Sequence, residues 1–116
     1  MNQNQLKSLK DYIAINGGAT LAPDGSMTAL SAGYMVSLQG HEKKTTLKKL
    51  SLKEINSYLN TARKLNAFAG LWLDGDVLYI DISIRILHRM QAIAAGIKNK
   101  QLAIYDLKEN QSIYIK

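Results

Sequence analysis

Three aspartates and one acidic–basic pair have the types that could run chemistry in this chain. Asp74 and Asp76 bracket Gly75, and Asp81 follows on the next apolar run. A D-x-D pattern with a third carboxylate on the same strand can hold Mg²⁺ or Ca²⁺ through oxygen ligands. Asp-Gly-Asp is also what a tight hairpin demands, and the EF-hand loop spacing is absent, so no metal site is expected. Pro23-Asp24 followed by Glu42-Lys43-Lys44 spells the P-D then E-x-K order of metal-dependent nucleases. Those enzymes need both carboxylates on adjacent strands, sharing the ion. Here Asp24 is expected at a turn tip and Glu42 at the opening of a loop. His41 and His88 lie too far apart in sequence for a standard ligand pair, and the chain has no cysteine to complete one. No G-x-S-x-G elbow, G-x-G-x-x-G turn or Walker loop occurs. The chain is therefore expected to be no enzyme and to require no cofactor.

The residues that could bind are basic and aromatic. From Gly40 to Asn66 there are seven Lys/Arg (Lys43, Lys44, Lys48, Lys49, Lys53, Arg63 and Lys64) against two acids, Glu42 and Glu54. This stretch carries +5 of the chain's formal +6, and Ala67 to Ile84 then swings to −3. Lysines are mobile point charges for phosphate oxygens, and Thr45 and Thr46 add hydroxyl donors. Such a run is also what a solvated, soluble loop looks like. Lys53, Asn60 and Lys64 fall near one helical stripe, so loop and helix could present one continuous positive surface. That surface is the expected partner or nucleic-acid binding site. Among the aromatics, strand parity points Tyr79 and Tyr105 toward an open sheet face. Tyr58 reads as core, and Trp72 and Phe68 share a parity expected to pack against a helix.

Composition bounds the class. The 116 residues suit a single α+β domain spanning 1–116, and 47% hydrophobic content supplies a core. No apolar run approaches a membrane span, and the amino terminus lacks a signal-peptide pattern. Together with the missing cysteines this suggests the cytoplasm and no membrane partner. A pI near 9.6 makes an acidic partner reasonable.

The elements that must position these residues follow from period and punctuation. Gln5 to Ile15 has helical apolar spacing and ends at Asn16-Gly17-Gly18. Ala19 to Ala22, a turn at Pro23-Asp24-Gly25 and a return strand from Ser26 to about Gln39 predict a first hairpin. Gly40 to Leu50 is the one candidate flexible loop. Ser51 and Glu54 form an S-x-x-E cap for a helix burying Ile55, Tyr58, Leu59, Ala62 and Leu65. Phe68 to Leu73 and Val77 to Ile82 predict a hairpin around Asp74-Gly75-Asp76. A third helix, Leu87 to Asn99, is expected to bury Met90, Ile93, Ala94 and Ile97. Gln101 to Leu107 and Ser112 to Ile115 close a third hairpin. The order α-β-β-α-β-β-α-β-β predicts an α+β fold, with an antiparallel or mixed sheet of three hairpins and three helices on one face.

Asn16-Gly-Gly-Ala-Thr-Leu-Ala-Pro-Asp-Gly, Ser31-Ala-Gly-Tyr-Met-Val-Ser-Leu-Gln-Gly, Gly70-Leu-Trp-Leu-Asp-Gly-Asp-Val-Leu-Tyr-Ile-Asp-Ile-Ser and Asn99-Lys-Gln-Leu-Ala-Ile-Tyr-Asp-Leu together cover most of residues 16–116. In these motifs the chain resembles small accessory proteins of Gram-positive phages, plasmids and integrative elements. Some proteins of such elements are anti-CRISPR proteins that block type II effector nucleases. The resemblance implies a non-enzymatic inhibitor whose partner is a CRISPR effector nuclease, its guide RNA, or both. A basic chain is a poor DNA mimic, so interference with guide loading is the expected route. The alternative is a nucleic-acid-binding accessory or regulatory protein of a phage or conjugative element. The motifs carry no oligomeric state.

Overall fold

Val77–Ile86 places apolar Leu78, Ile80, Ile82, Ile84 and Ile86 at every second position, and in the structure it becomes the strand on which three others pair. A computed structural model describes all residues from Met1 to Lys116. In chain order the elements are α1 (Gln3–Asn16), β1 (Gly18–Leu21), β2 (Tyr34–Ser37), β3 (Lys43–Thr45), α2 (Leu52–Leu65), β4 (Phe68–Asp74), β5 (Val77–Ile86), α3 (Arg89–Lys98), β6 (Ala103–Asp106) and β7 (Gln111–Tyr114). The fold is α+β, with a seven-stranded antiparallel sheet ordered β1-β4-β5-β2-β6-β7 and β3 also pairing with β5. No helix is long and apolar enough to cross a membrane. The contacts divide into two compact units: Met1–Thr28 with His41–Ile82, and Ala29–Gly40 with Ser83–Lys116.

In the first unit, α1 and α2 cover one face of the strands. Asn2 caps α1 by accepting from the Gln5 backbone N–H, and the Gln5 side chain accepts in return from the Asn2 N–H. Gly17 ends the helix in the left-handed region, at φ 85°, where a side chain would be strained. Leu6, Leu9 and Ile13 of α1 and Ile55, Leu59 and Ala62 of α2 are buried. The strands answer with Leu21, Ala69, Leu71, Leu78, Ile80 and Ile82, alternate residues all buried. Each Leu or Ile so buried contributes about 1.5–3 kcal/mol against conformational entropy. Tyr58, expected in the core, is only half-buried because its hydroxyl donates to the His41 carbonyl at 2.8 Å. Leu65, at the end of the helix, is exposed.

Two expectations change here. The Asp24-Gly25 turn forms, closed by Ala22 N–H to Ser26 O and Gly25 N–H to Ala22 O. The return strand does not: a single bridge, Leu21 to Met27, joins the arms. β2 instead pairs Tyr34 with Ile86 and Ser37 with Ser83 on β5, and Tyr34 with Asp106 on β6. Gly40 to Leu50 is not a structureless loop either. Lys43, Lys44 and Thr45 pair with Ile80, Tyr79 and Leu78, adding a strand to the expected order.

The second unit packs α3 on β2 and β6 around Val36, Ala92 and Ile104. α3 turns its small residues inward. A Cβ on Gly96 would stand 2.5 Å from Ile115 Cδ1 and 2.8 Å from Ile104 Cγ2, so glycine permits the close approach. Ile93 is half-buried, but Met90, Ala94 and Ile97, expected in the core, face solvent. The β6–β7 hairpin forms as expected, and buried Asp106 braces its turn by accepting from the Lys108 and Glu109 N–H groups.

The Ser51 hydroxyl accepts from the Glu54 N–H at 3.1 Å at the head of α2. Ser51→Ala should lower stability by about 1 kcal/mol through loss of this cap. Urea denaturation followed by circular dichroism measures it.

Candidate functional site

The pleat decides which side chains meet on the uncovered face of the first unit. With Leu71 and Leu78 pointed at the helices, Phe68, Gly70 and Trp72 of β4 and Val77, Tyr79 and Asp81 of β5 point the other way. β3 adds Lys44, opposite Tyr79, and β1 adds Gly18, opposite Trp72. One row across the strands therefore reads Gly18, Trp72, Tyr79, Lys44.

Its geometry is that of an aromatic platform. The Trp72 and Tyr79 ring centroids stand 5.3 Å apart, with planes tilted by 32°. Lys44 Nζ lies 5.5 Å from the centre of the Tyr79 ring, within cation–π range. Trp72 is 59% exposed, which is high for an indole in the middle of a strand. Gly18 places no side chain beside it, and a Cβ there would stand 2.8 Å from the Leu71 carbonyl oxygen. One row further on, the Asp81 carboxylate occupies the space above Gly70, where a Cβ would collide with it. Trp72 therefore does not pack under a helix, as its parity suggested. Both parities of β4 are apolar, and Gly70 and Asp74, which share the parity of Trp72, were the signals of an outward face.

The seven basic residues separate. Lys44 alone stands on the platform. Lys43, its neighbour, points to the helix face and pairs with Glu54 of α2. Lys48 and Lys49 are exposed in a turn closed by Thr46, and Lys10 of α1 donates to the Lys48 carbonyl at 3.4 Å. Lys53, Arg63 and Lys64 are exposed on α2, the last two in its final turn. Tyr105 lies on β6, in the second unit, 39% exposed.

The other candidates do not converge. Asp24 is exposed at its turn and accepts from the Ser26 N–H and hydroxyl, which hold its carboxyl below the usual range. Glu42 precedes β3, and no three His, Asp or Glu side chains are placed to share a metal ion. Burial pushes the Tyr58 hydroxyl above its ordinary value, and the Asp81 and Glu54 carboxylates add to the effect. The Lys43 ammonium holds the Glu54 carboxyl below the usual range, against an opposing effect of burial. Compared with family models, curated proteins and solved structures, the chain finds no match.

A depressed carboxyl in the folded state stabilises above its unfolded pKa and loses that contribution as pH falls through the folded value. Lys43→Gln should therefore cost up to ~1 kcal/mol at neutral pH, the scale of a half-exposed pair. Thermal melts of wild type and variant should converge as pH falls through the lowered folded-state pKa of Glu54 and its carboxyl takes up a proton in both.

Proposed function

We propose that this protein is a non-enzymatic binding protein for single-stranded nucleic acid, RNA in the first instance. The observation that carries the reading is the exposed Trp72 ring stacked beside half-buried Tyr79, with Lys44 over the tyrosine. Every base has a π-face, so exposed rings on a sheet face bind single strands by stacking, worth about 1–3 kcal/mol per base. A lysine beside the rings supplies the phosphate contact. The hairpin tip, with Asp74 and Asp76, repels phosphate, so the strand leaves the platform on the Lys44 side. A sugar-binding platform would use the same rings, but the formal charge of +6 favours a polyanion. In the setting that the sequence resemblance suggests, the RNA is the guide of a type II effector nuclease. The protein then blocks loading only when added before the guide.

Fluorescence anisotropy with labelled single-stranded RNA and DNA tests this reading. Trp72→Ala should weaken binding about tenfold or more, the equivalent of ~1.4 kcal/mol for one lost stack. Lys44→Gln should flatten the dependence of log K on log salt by about 0.7. Unchanged binding in Trp72→Ala, with loss on reversing Lys48, Lys49 and Lys53 to Glu, would move the site to the helix face and overturn the platform.

A further inference from the structure

The second unit carries a surface of a different kind. Met90, Ala94 and Ile97 follow one another at four- and three-residue steps, so they form a single apolar stripe along α3, and exposed Leu87 lies in the bend that leads into it. The stripe faces away from the core: Leu87, Met90, Ile97 and nearby Leu102 are 59 to 74% exposed. The opposite side of the helix is the one that packs: Ala92 is buried beside Ile104, Gly96 allows close approach of Ile104 and Ile115, and Ile93 and Ala95 are half-buried beside them.

The charges of the segment that carries the stripe are of one sign. Ser83 to Tyr105 contains Arg85, Arg89, Lys98 and Lys100 and no acid. Arg85 is turned to the Ala32 carbonyl, which leaves Arg89, Lys98 and Lys100 at the helix ends. Lys98 is suited to its place by the helix dipole. Arg89 is not: it begins the helix, where positive charge is disfavoured, with no acid in the first turn and no side-chain cap from His88. A carboxylate from outside would satisfy both the arginine and the uncapped turn.

These features distinguish the possible occupants. A second copy of this chain, packing α3 antiparallel to α3, would bring Arg89 of one copy beside Lys98 of the other, with no acid between them. An acidic amphipathic helix meets the stripe with its apolar residues and both ends with its carboxylates. We infer that α3 is a docking site for an acidic amphipathic helix of a partner protein, seated on Leu87, Met90, Ala94 and Ile97 and held by Arg89 and Lys98. This surface is independent of the platform around Trp72. A protein with both would bind nucleic acid with one unit and a protein with the other.

The probe is a synthetic helical peptide with leucines at heptad a and d positions and glutamates elsewhere. Its lysine-substituted counterpart and anionic phosphatidylserine vesicles serve as alternatives, and all are titrated against the full chain. The glutamate peptide should bind, the lysine peptide should not, and the vesicles should bind weakly or not at all. Arg89→Glu with Lys98→Glu should weaken binding of the glutamate peptide at least tenfold and confer binding of the lysine peptide. Met90→Glu with Ile97→Glu should abolish it, while the circular dichroism spectrum stays unchanged because both side chains are exposed. Equal binding of the two peptides, tighter binding to vesicles, self-association by sedimentation that Ile97→Glu abolishes, or no binding to the glutamate peptide would overturn the proposal.

Discussion

The pleat of one strand governs most of what this molecule presents. β5 runs for ten residues and serves β4, β3 and β2. Because successive side chains alternate, burying Leu78, Ile80 and Ile82 obliges Val77, Tyr79 and Asp81 to the other side. A register slip of one residue would exchange the two sets and put an aspartate into the core. The same rule separates Lys43 from Lys44 on the paired strand. One becomes a partner for Glu54 and the other a cation beside Tyr79. Adjacent residues of identical type thus receive different work from a single backbone constraint.

That constraint also changes the meaning of the basic run. Seven positive residues between Gly40 and Asn66 look like one surface when written in a line. Folded, they divide among an edge strand, a turn and a helix, and one is neutralised by an acid from within the same run. Exposed lysines on a short edge strand also have a structural role, since they discourage unwanted strand pairing. The proposed site rests instead on a lysine over a half-buried tyrosine that stands beside an exposed indole.

Much of the architecture is readable before folding. Asp-Gly between two apolar runs announces the β4–β5 hairpin, and Ser51 with Glu54 announces α2. What escapes is non-local. Tyr34 to Ser37 has no local signature for a partner nearly fifty residues away on β5, so the return strand was assigned to the nearer β1. Lys43-Lys44-Thr45 has no apolar alternation, and it is a strand only because β5 offers a free edge. On the inward face of α3, period alone favours the larger residues. Close packing at Gly96 selected the smaller ones. For Trp72, β4 is apolar on both parities, so hydrophobicity gives no preference between the helix face and the open face.

Trp72 is the only tryptophan in the chain, so its emission reports on the platform alone. The most direct measurement is a titration of the wild-type protein with unlabelled single-stranded RNA, following that emission. Stacking of a base on the indole predicts saturable quenching that is reversed by added salt, with the same midpoint as binding followed by anisotropy. RNA that binds while leaving the emission unchanged, or RNA that fails to bind at low salt, would contradict the account.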